Sequence, residues 1–126
     1  MKKAIESANI PQAIGPYSAA IATEKNIFTA GQLGVDPKTG QFAGASIQDQ
    51  TKQALINLGA ILEEVDCNYD NVVKTTVFLA DIAEFSAMNE VYATFFKAPY
   101  PARSAFQVAA LPKNARVEIE AIVVRE

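Results

Sequence analysis

The stretch that decides the fold is residues 117–124, Val-Glu-Ile-Glu-Ala-Ile-Val-Val. Its first five positions alternate between apolar and acidic side chains, and a strand sends successive side chains to opposite faces of its sheet. The apolar members predict a face that packs on helices. Arg116, Glu118 and Glu120 predict the opposite, polar face, which would be wet in a monomer and could become the wall of a cleft in an oligomer.

Outward from this strand, the periodicity predicts four more strands and two helices. The strands are predicted at Tyr17 to Thr23, Asn26 to Leu33, Val72 to Leu79 and Arg103 to Val108. An apolar stripe at helical spacing predicts a first helix from Ser46 to about Val65, with Ser46 as its cap. A second helix follows Asp81 and is stopped by Pro99. The order β-β-α-β-α-β-β predicts an α+β fold with both helices on one face of the sheet.

Length and composition exclude several function classes. The 126 residues predict a single domain over residues 1–126. The sequence has no histidine, which removes Ser-His-Asp and Cys-His nucleophilic systems and histidine zinc sites. The lone Cys67 forms neither an internal disulfide nor a zinc cage, and it fits a reducing cytosol. A net charge of -3 argues against dedicated nucleic-acid binding, and no apolar stretch approaches the roughly 18 residues of a membrane span.

A few residues stand out as candidates for chemistry. Glu118 and Glu120 share one strand face, as paired acid-base carboxylates or as an ordinary solvated face. Arg103 follows a proline-rich segment and could hold a carboxylate through two parallel hydrogen bonds, although many surface arginines bind nothing. Tyr17 enters a strand after a Gly-Pro turn. Gly31 lies in a Gly-Gln pair that matches no known phosphate loop, so nucleotide binding is disfavoured.

Taken together, several motifs carry a resemblance to a known family. These are Ile14-Gly15-Pro16-Tyr17-Ser18, Thr29-Ala30-Gly31-Gln32-Leu33, Asn89-Glu90-Val91-Tyr92, Tyr100-Pro101-Ala102-Arg103-Ser104 and Val117-Glu118-Ile119-Glu120-Ala121-Ile122. In order, spacing and total length the chain resembles the RidA family, also called YjgF/YER057c/UK114. The resemblance implies a chorismate-mutase-like α+β fold with a mixed sheet. It also implies a homotrimer whose sheets form an inner barrel and whose sites lie between subunits.

The activity that the resemblance implies is hydrolysis of reactive 2-imino and enamine acids, such as 2-iminobutanoate and 2-iminopropanoate, to 2-oxo acids and ammonia. Pyridoxal-phosphate dehydratases release these substrates, and the reaction itself needs no cofactor and no metal. Arg103 would grip the substrate carboxylate. Glu118 would activate water and protonate the departing ammonia, a role worth roughly 10²–10⁴ in rate. Tyr17, Gly31 and Asn89 would line the substrate site.

Two positions depart from the archetype of the family. Ala105 stands where the archetype has cysteine, two residues after the arginine, and Ala30 stands where serine often precedes the Gly-Gln pair. Because imine hydrolysis needs no thiol, we expect Ala105 to change the shape of the pocket rather than abolish turnover. The preferred side chain of the imine is left open, as are the dehydratase that supplies it, any regulatory ligand and the role of Cys67.

Other function classes remain open within the same fold. A member that binds 2-oxo acids without turning them over would also need Arg103, and the presence of Glu118 favours the enzyme. An endoribonuclease or translation inhibitor would need basic phosphate contacts, which this acidic chain offers sparsely.

Overall fold

The computed structural model describes all 126 residues and builds one mixed sheet with two α-helices, as predicted. The strands are β1 (Lys3–Ile5), β2 (Ala20–Ala22), β3 (Asn26–Thr29), β4 (Gln32–Leu33), β5 (Val72–Leu79), β6 (Ala102–Gln107) and β7 (Val117–Val124). The helices are α1 (Ile47–Glu64) and α2 (Phe85–Tyr92), with short 3-10 turns at Tyr69–Asn71, Ile82–Glu84 and Pro112–Asn114. The sheet order is β1-β2-β3-β7-β5-β6, and β4 also pairs with β7. Only β5 and β6 are parallel neighbours; every other pair is antiparallel.

Strand β7 buries every second residue, as its sequence predicts, and the residues between them are half-buried except Ile122, which is exposed. Val117 and Ile119 are buried in the core, while Glu118 and Glu120 are half-buried on the other face. Arg116 departs from the prediction that it shares this polar face. Its Nε donates to the Ala45 carbonyl and its Nη1 forms an ion pair with Glu84 at 2.9 Å. Glu118 and Glu120 therefore lie on the sheet face that the helices leave open, and Arg116 does not lie beside them.

Helix α1 supplies much of the core through the predicted apolar stripe. All seven members of the stripe are buried: Ile47, Ala54, Leu55, Leu58, Ile61, Leu62 and Val65. The Ser46 hydroxyl accepts the Asp49 N–H at 3.1 Å and so caps the helix as predicted. Burial of this stripe against the sheet fixes which sheet face is covered and which stays open.

Helix α1 also buries polar side chains that hold the segment around β4 in place. Asn57 is fully buried and donates to the carbonyls of Leu33 and Val35, at 3.1 and 2.9 Å. Gln50 accepts the Arg116 N–H at 2.9 Å, just before β7 begins. Each such bond contributes about 1 kcal/mol, and an orphaned partner costs more. The apolar periodicity gave no sign of this network.

The predicted N-terminal hairpin is shorter and more broken than expected. The expected strand Asn26 to Leu33 is interrupted at Ala30 and Gly31, so β3 and β4 pair with different stretches of β7. The expected strand Tyr17 to Thr23 shrinks to β2. The unpredicted β1 pairs with β2, and three residues carry too little periodicity to reveal such a strand.

The second helix is also shorter than predicted. It ends at Tyr92, because the N–H groups of Thr94 and Phe95 donate to carbonyls three residues back and the Thr94 hydroxyl also donates to the Val91 carbonyl. Asp81 caps the 3-10 turn that precedes the helix rather than the helix itself. Phe95 and Phe96 consequently leave the helix and pack edge-on against Tyr69.

Candidate functional site

A cleft of about 640 Å³ opens beside β7. Tyr17, Gly31 and Glu118, three of the predicted site residues, line it together with Ala30. Much of the remaining wall is apolar and comes from Pro11, Ala13, Ile14, Ala19, Leu33, Val35 and Pro112. The other polar groups of the wall come from Gln12, Gln32 and Lys113, so a small molecule here would meet one carboxylate and one amine among largely apolar walls.

Glu118 is the titratable group of the cleft whose pKa is perturbed. Burial raises its pKa above the usual value, and the nearby negative charge of Glu120 raises it further. Strand β7 fixes the position of Glu118 by pairing it with Leu33 on one side and Phe78 on the other. A carboxylate with a raised pKa is a stronger base than an exposed one, so it suits proton transfer.

Gly31 provides the space that the Glu118 side chain occupies. A Cβ on Gly31 would overlap the Glu118 carboxylate, with the carboxyl carbon at 2.5 Å. Carbon atoms normally approach to about 3.5–4.0 Å. The requirement for glycine here is therefore steric. Gly31 lies in the interruption between β3 and β4, so this interruption is where the chain makes room for the Glu118 carboxylate.

Tyr17 reaches the cleft from the turn before β2. Gly15 has a φ of 123°, a conformation that favours glycine, and its carbonyl accepts the Tyr17 N–H at 2.9 Å. The Tyr17 side chain is 55% exposed, which leaves its ring and hydroxyl available to a ligand or to another chain.

Arg103 lies on the edge strand β6 with a different set of neighbours. Its Nη1 donates a hydrogen bond to the side-chain oxygen Oδ1 of Asn89 at 2.6 Å. Its guanidinium carbon lies 4.7 Å from the centre of the Tyr92 ring and 5.3 Å from that of Phe85. The other N–H groups of the guanidinium have no hydrogen-bond acceptor in the chain, so they are free to bind an anion.

The predicted site residues thus fall into two groups on opposite faces of the sheet. Arg103 pairs with Thr75 of β5, which is fully buried on the helix side, whereas Glu118 pairs with Phe78 of the same strand. Positions 75 and 78 of a strand face opposite sides. Strands β6 and β7 flank β5, so their backbones are also about 10 Å apart. One small ligand does not reach both groups within a single chain.

The family model described as Endoribonuclease L-PSP matches residues 7–125, nearly the whole chain. The chain belongs to this family. The resemblance to the RidA family is thereby confirmed.

Named relatives cover almost the full chain. A human protein named 2-iminobutanoate/2-iminopropanoate deaminase is 48% identical over 125 residues, which is 99% of this chain and 91% of the relative. Reactive Intermediate Deaminase A, chloroplastic, of Arabidopsis thaliana is 50% identical over 96% of this chain and 65% of its own length. Among solved structures, E. coli TdcF with bound serine superposes with a TM-score of 0.94 at 43% identity, covering 98% of this chain and 99% of TdcF.

The two departures from the archetype of the RidA family lie in different places. Ala30 lines the cleft beside Gly31, so the missing serine hydroxyl is a change in the cleft wall itself. Ala105 pairs with Val77 and packs against the core on the helix side of β6. Ala105 therefore shares its sheet face with Arg103 and not with the Glu118 cleft.

The sequence missed the aromatic neighbours of Arg103. Phe85 and Tyr92 read as members of an apolar helix face, and both do contribute to the core. Their second contact, with a guanidinium on β6, depends on how α2 crosses the sheet. The sequence signals for this group were Arg103 after its proline-rich segment and the Asn89-Glu90-Val91-Tyr92 motif, which contains Tyr92 without indicating its contact with Arg103.

Three further observations concern metal ligands, the helices and the lone thiol. No group of three or more Cys, Asp or Glu side chains is arranged to hold a metal ion. Neither helix combines the length and apolar character needed to cross a membrane. Cys67 is half-buried against the core, and burial raises the pKa of its thiol.

Proposed function

We propose that the protein hydrolyses 2-imino acids, such as 2-iminobutanoate and 2-iminopropanoate, to 2-oxo acids and ammonia. The observation that carries the proposal is the pair of complementary half-sites. One is a cleft with a basic carboxylate, Glu118, and the other is a caged guanidinium, Arg103, with unoccupied N–H groups. The relatives named as deaminases of these imines support the same activity.

Arg103 binds the substrate carboxylate in this proposal. A guanidinium matches a carboxylate with two parallel N–H···O bonds, which both neutralise the anion and orient it. Asn89 occupies one N–H and leaves the others for the ligand. The serine bound in the TdcF structure is an amino acid, so a related fold accommodates a ligand with a carboxylate beside a nitrogen-bearing carbon.

Glu118 carries the protons. The carbon of a protonated imine is already electrophilic, so water adds to it while the Glu118 carboxylate takes one proton from that water. The product is a carbinolamine, which receives this proton on its nitrogen and expels ammonia as the carbon–nitrogen bond breaks. Loss of the hydroxyl proton then gives the 2-oxo acid, and the proton leaves as ammonium. The residues required are one base and one anion-binding group.

The active site is shared between copies of the chain in this proposal. Arg103 from one subunit and the cleft of Tyr17, Gly31 and Glu118 from its neighbour together surround one substrate. The open sheet face exposes apolar side chains, with Phe28 44% and Phe106 45% exposed, as expected for a face that packs on another subunit. We propose a homotrimer with a chorismate-mutase-like fold, its sheets forming the inner barrel and its three sites lying between subunits.

The first experiment supplies the short-lived imine with threonine dehydratase and traps the remainder with semicarbazide. We expect wild-type protein to abolish semicarbazone formation and Arg103→Ala to restore it. Normal semicarbazone formation with wild-type protein would refute the deaminase. Light scattering should report about three times the 13.5 kDa chain, and a monomer at micromolar concentration would refute the shared site.

A mixing experiment tests the division of the site directly. Arg103→Ala and Glu118→Gln chains are inactive alone, and unfolding and refolding them together gives mixed trimers. Each mixed trimer contains one site with both native residues, so random mixing restores about a quarter of wild-type activity in a cyclic trimer. No recovery, with mixed trimers present by mass spectrometry, would mean that both residues act within one chain.

The competing functions give different results with the same proteins. A binding member without turnover would bind 2-oxobutanoate yet leave the imine unhydrolysed. The endoribonuclease in the family description would require phosphate contacts, and the net charge of -3 and absence of histidine disfavour it. We place the activity in the cytoplasm, downstream of pyridoxal-phosphate dehydratases, where a lone thiol such as Cys67 stays reduced.

A further inference from the structure

Arg103 sits in a cage of groups that do not themselves reach the cleft. Asn89 holds one edge of the guanidinium at 2.6 Å, and the Tyr92 ring lies 4.7 Å from its central carbon. Phe85 approaches at 5.3 Å. An aromatic face attracts a cation within about 6 Å, and the attraction strengthens when water is excluded.

The Tyr92 ring is anchored at its far end. Tyr92 is only 5% exposed, and its hydroxyl lies 2.7 Å from the Oγ1 of Thr75, which is fully buried. Thr75 is the residue that pairs with Arg103 across the parallel strands β5 and β6. Three contacts therefore connect the same three residues. Arg103 pairs with Thr75 in the sheet, Thr75 hydrogen-bonds the Tyr92 hydroxyl, and the Tyr92 ring contacts the Arg103 guanidinium.

We propose that Tyr92, anchored by Thr75, is a positioning residue that holds the Arg103 guanidinium in the orientation that binds the substrate carboxylate. This inference rests on the proposed function and adds Tyr92 to the residues on which substrate binding depends.

The chemistry of the contact agrees with this role. Burial raises the pKa of Tyr92, so the phenol stays neutral and acts through its ring face. A neutral ring restrains a cation without competing for the hydrogen bonds that the carboxylate needs. An acidic side chain in the same place would neutralise the guanidinium and occupy those bonds.

The expected effect of losing the ring is weaker substrate binding with little change in the chemical step. The carboxylate is held before and during the reaction, so a loosened arginine raises KM more than it lowers kcat. Tyr92→Leu removes the ring and should raise KM by about tenfold, comparable to one cation–π contact. Tyr92→Phe and Thr75→Val keep a ring and remove only its anchor, so a smaller rise of about twofold to threefold is expected.

Tyr69 offers a matched control for a general loss of stability. Its hydroxyl donates to the Leu55 carbonyl at 2.6 Å, and burial raises its pKa to about 12. Its ring packs on Phe95 and on Phe96, and Phe96 also packs on Tyr92 with ring centres 4.6 Å apart. Tyr69→Phe keeps the ring on which Phe96 packs, so it should lower the melting temperature as Tyr92→Phe does, yet leave KM unchanged. Equal KM values for Tyr92→Phe and Tyr69→Phe would overturn the proposal.

A second readout does not depend on turnover. The NMR signal of the Arg103 Nε–H group reports how tightly the guanidinium is held, and the folded Tyr92→Phe variant suffices if Tyr92→Leu does not fold. We expect a lower order parameter in Tyr92→Phe and no change in Tyr69→Phe. Because Tyr92→Phe keeps the ring, an unchanged signal in that variant would overturn the anchoring by Thr75 even in an active enzyme. An unchanged signal in a folded Tyr92→Leu would overturn the cage. A changed signal in a protein that hydrolyses no imine would support the cage and refute only the proposed function.

Discussion

Replacement of Gly31 by alanine should separate activity from stability. The new Cβ would lie 2.5 Å from the Glu118 carboxyl carbon and 2.7 Å from its Cγ. Because carbon contacts settle near 3.5–4.0 Å, the carboxylate must move by about 1 Å. A displacement of this size at a reacting group costs about 10²-fold in rate, equivalent to about 2.7 kcal/mol in the barrier.

The same substitution should leave the folded state nearly as stable. The group that moves is the Glu118 side chain from its Cγ outward and not backbone, and among the glycines only Gly15 and Gly40 have positive φ. Alanine also reduces the entropy of the unfolded chain, which contributes about 0.4–1 kcal/mol in its favour. We therefore expect the free energy of unfolding of Gly31→Ala to stay within about 1 kcal/mol of wild type.

The assay pairs kcat/KM from semicarbazide trapping with thermal unfolding. Gly34→Ala is the matched control, because its Cβ would lie 2.5 Å from the Gln50 Cα in the backbone of α1, which does not swing aside. That variant should lose about 1–3 kcal/mol of stability. Activity of Gly31→Ala within threefold of wild type would refute the argument. Loss of activity and stability by Gly31→Ala in the same ratio as by Gly34→Ala would also refute the argument.

Other predictions concern the two glutamates of β7. Glu118→Gln should abolish turnover while retaining 2-oxobutanoate binding, and loss of binding together with turnover would contradict its role as a base. The raised pKa of Glu118 means that its ionised form is disfavoured in the folded state, so Glu118→Gln should melt at a higher temperature than wild type at pH 8. This difference should shrink as the pH falls below the folded pKa of Glu118, and a lower melting temperature at pH 8 would refute the sign. Glu120→Gln removes the charge that raises the pKa of Glu118, so the acidic limb of the pH profile of kcat/KM should move to lower pH. If the limb does not move, a group other than Glu118 titrates there.

The sequence predicted those helices and strands that bury a single face against the core, because their apolar residues recur at a regular spacing. Helix α1 and strands β5 and β7 each bury one face against the core, so their apolar residues recur at 3.6 or at 2 residues. Their bounds match the predictions closely. Strand β1 and the break at Ala30 and Gly31 were missed, because short pairings are decided by neighbouring strands rather than by local pattern.

The sequence by itself determined the residue types of the site. The absence of histidine leaves carboxylate and guanidinium chemistry, and the motifs around Arg103 and Glu118 carry the family resemblance. Only the tertiary structure decided where these groups lie. Strand β5 separates them because Thr75 and Phe78 face opposite sides of the sheet, and helix α2 brings Tyr92 over Arg103. Such relations depend on strand order and helix crossing, which link residues far apart in sequence and leave no mark on local periodicity.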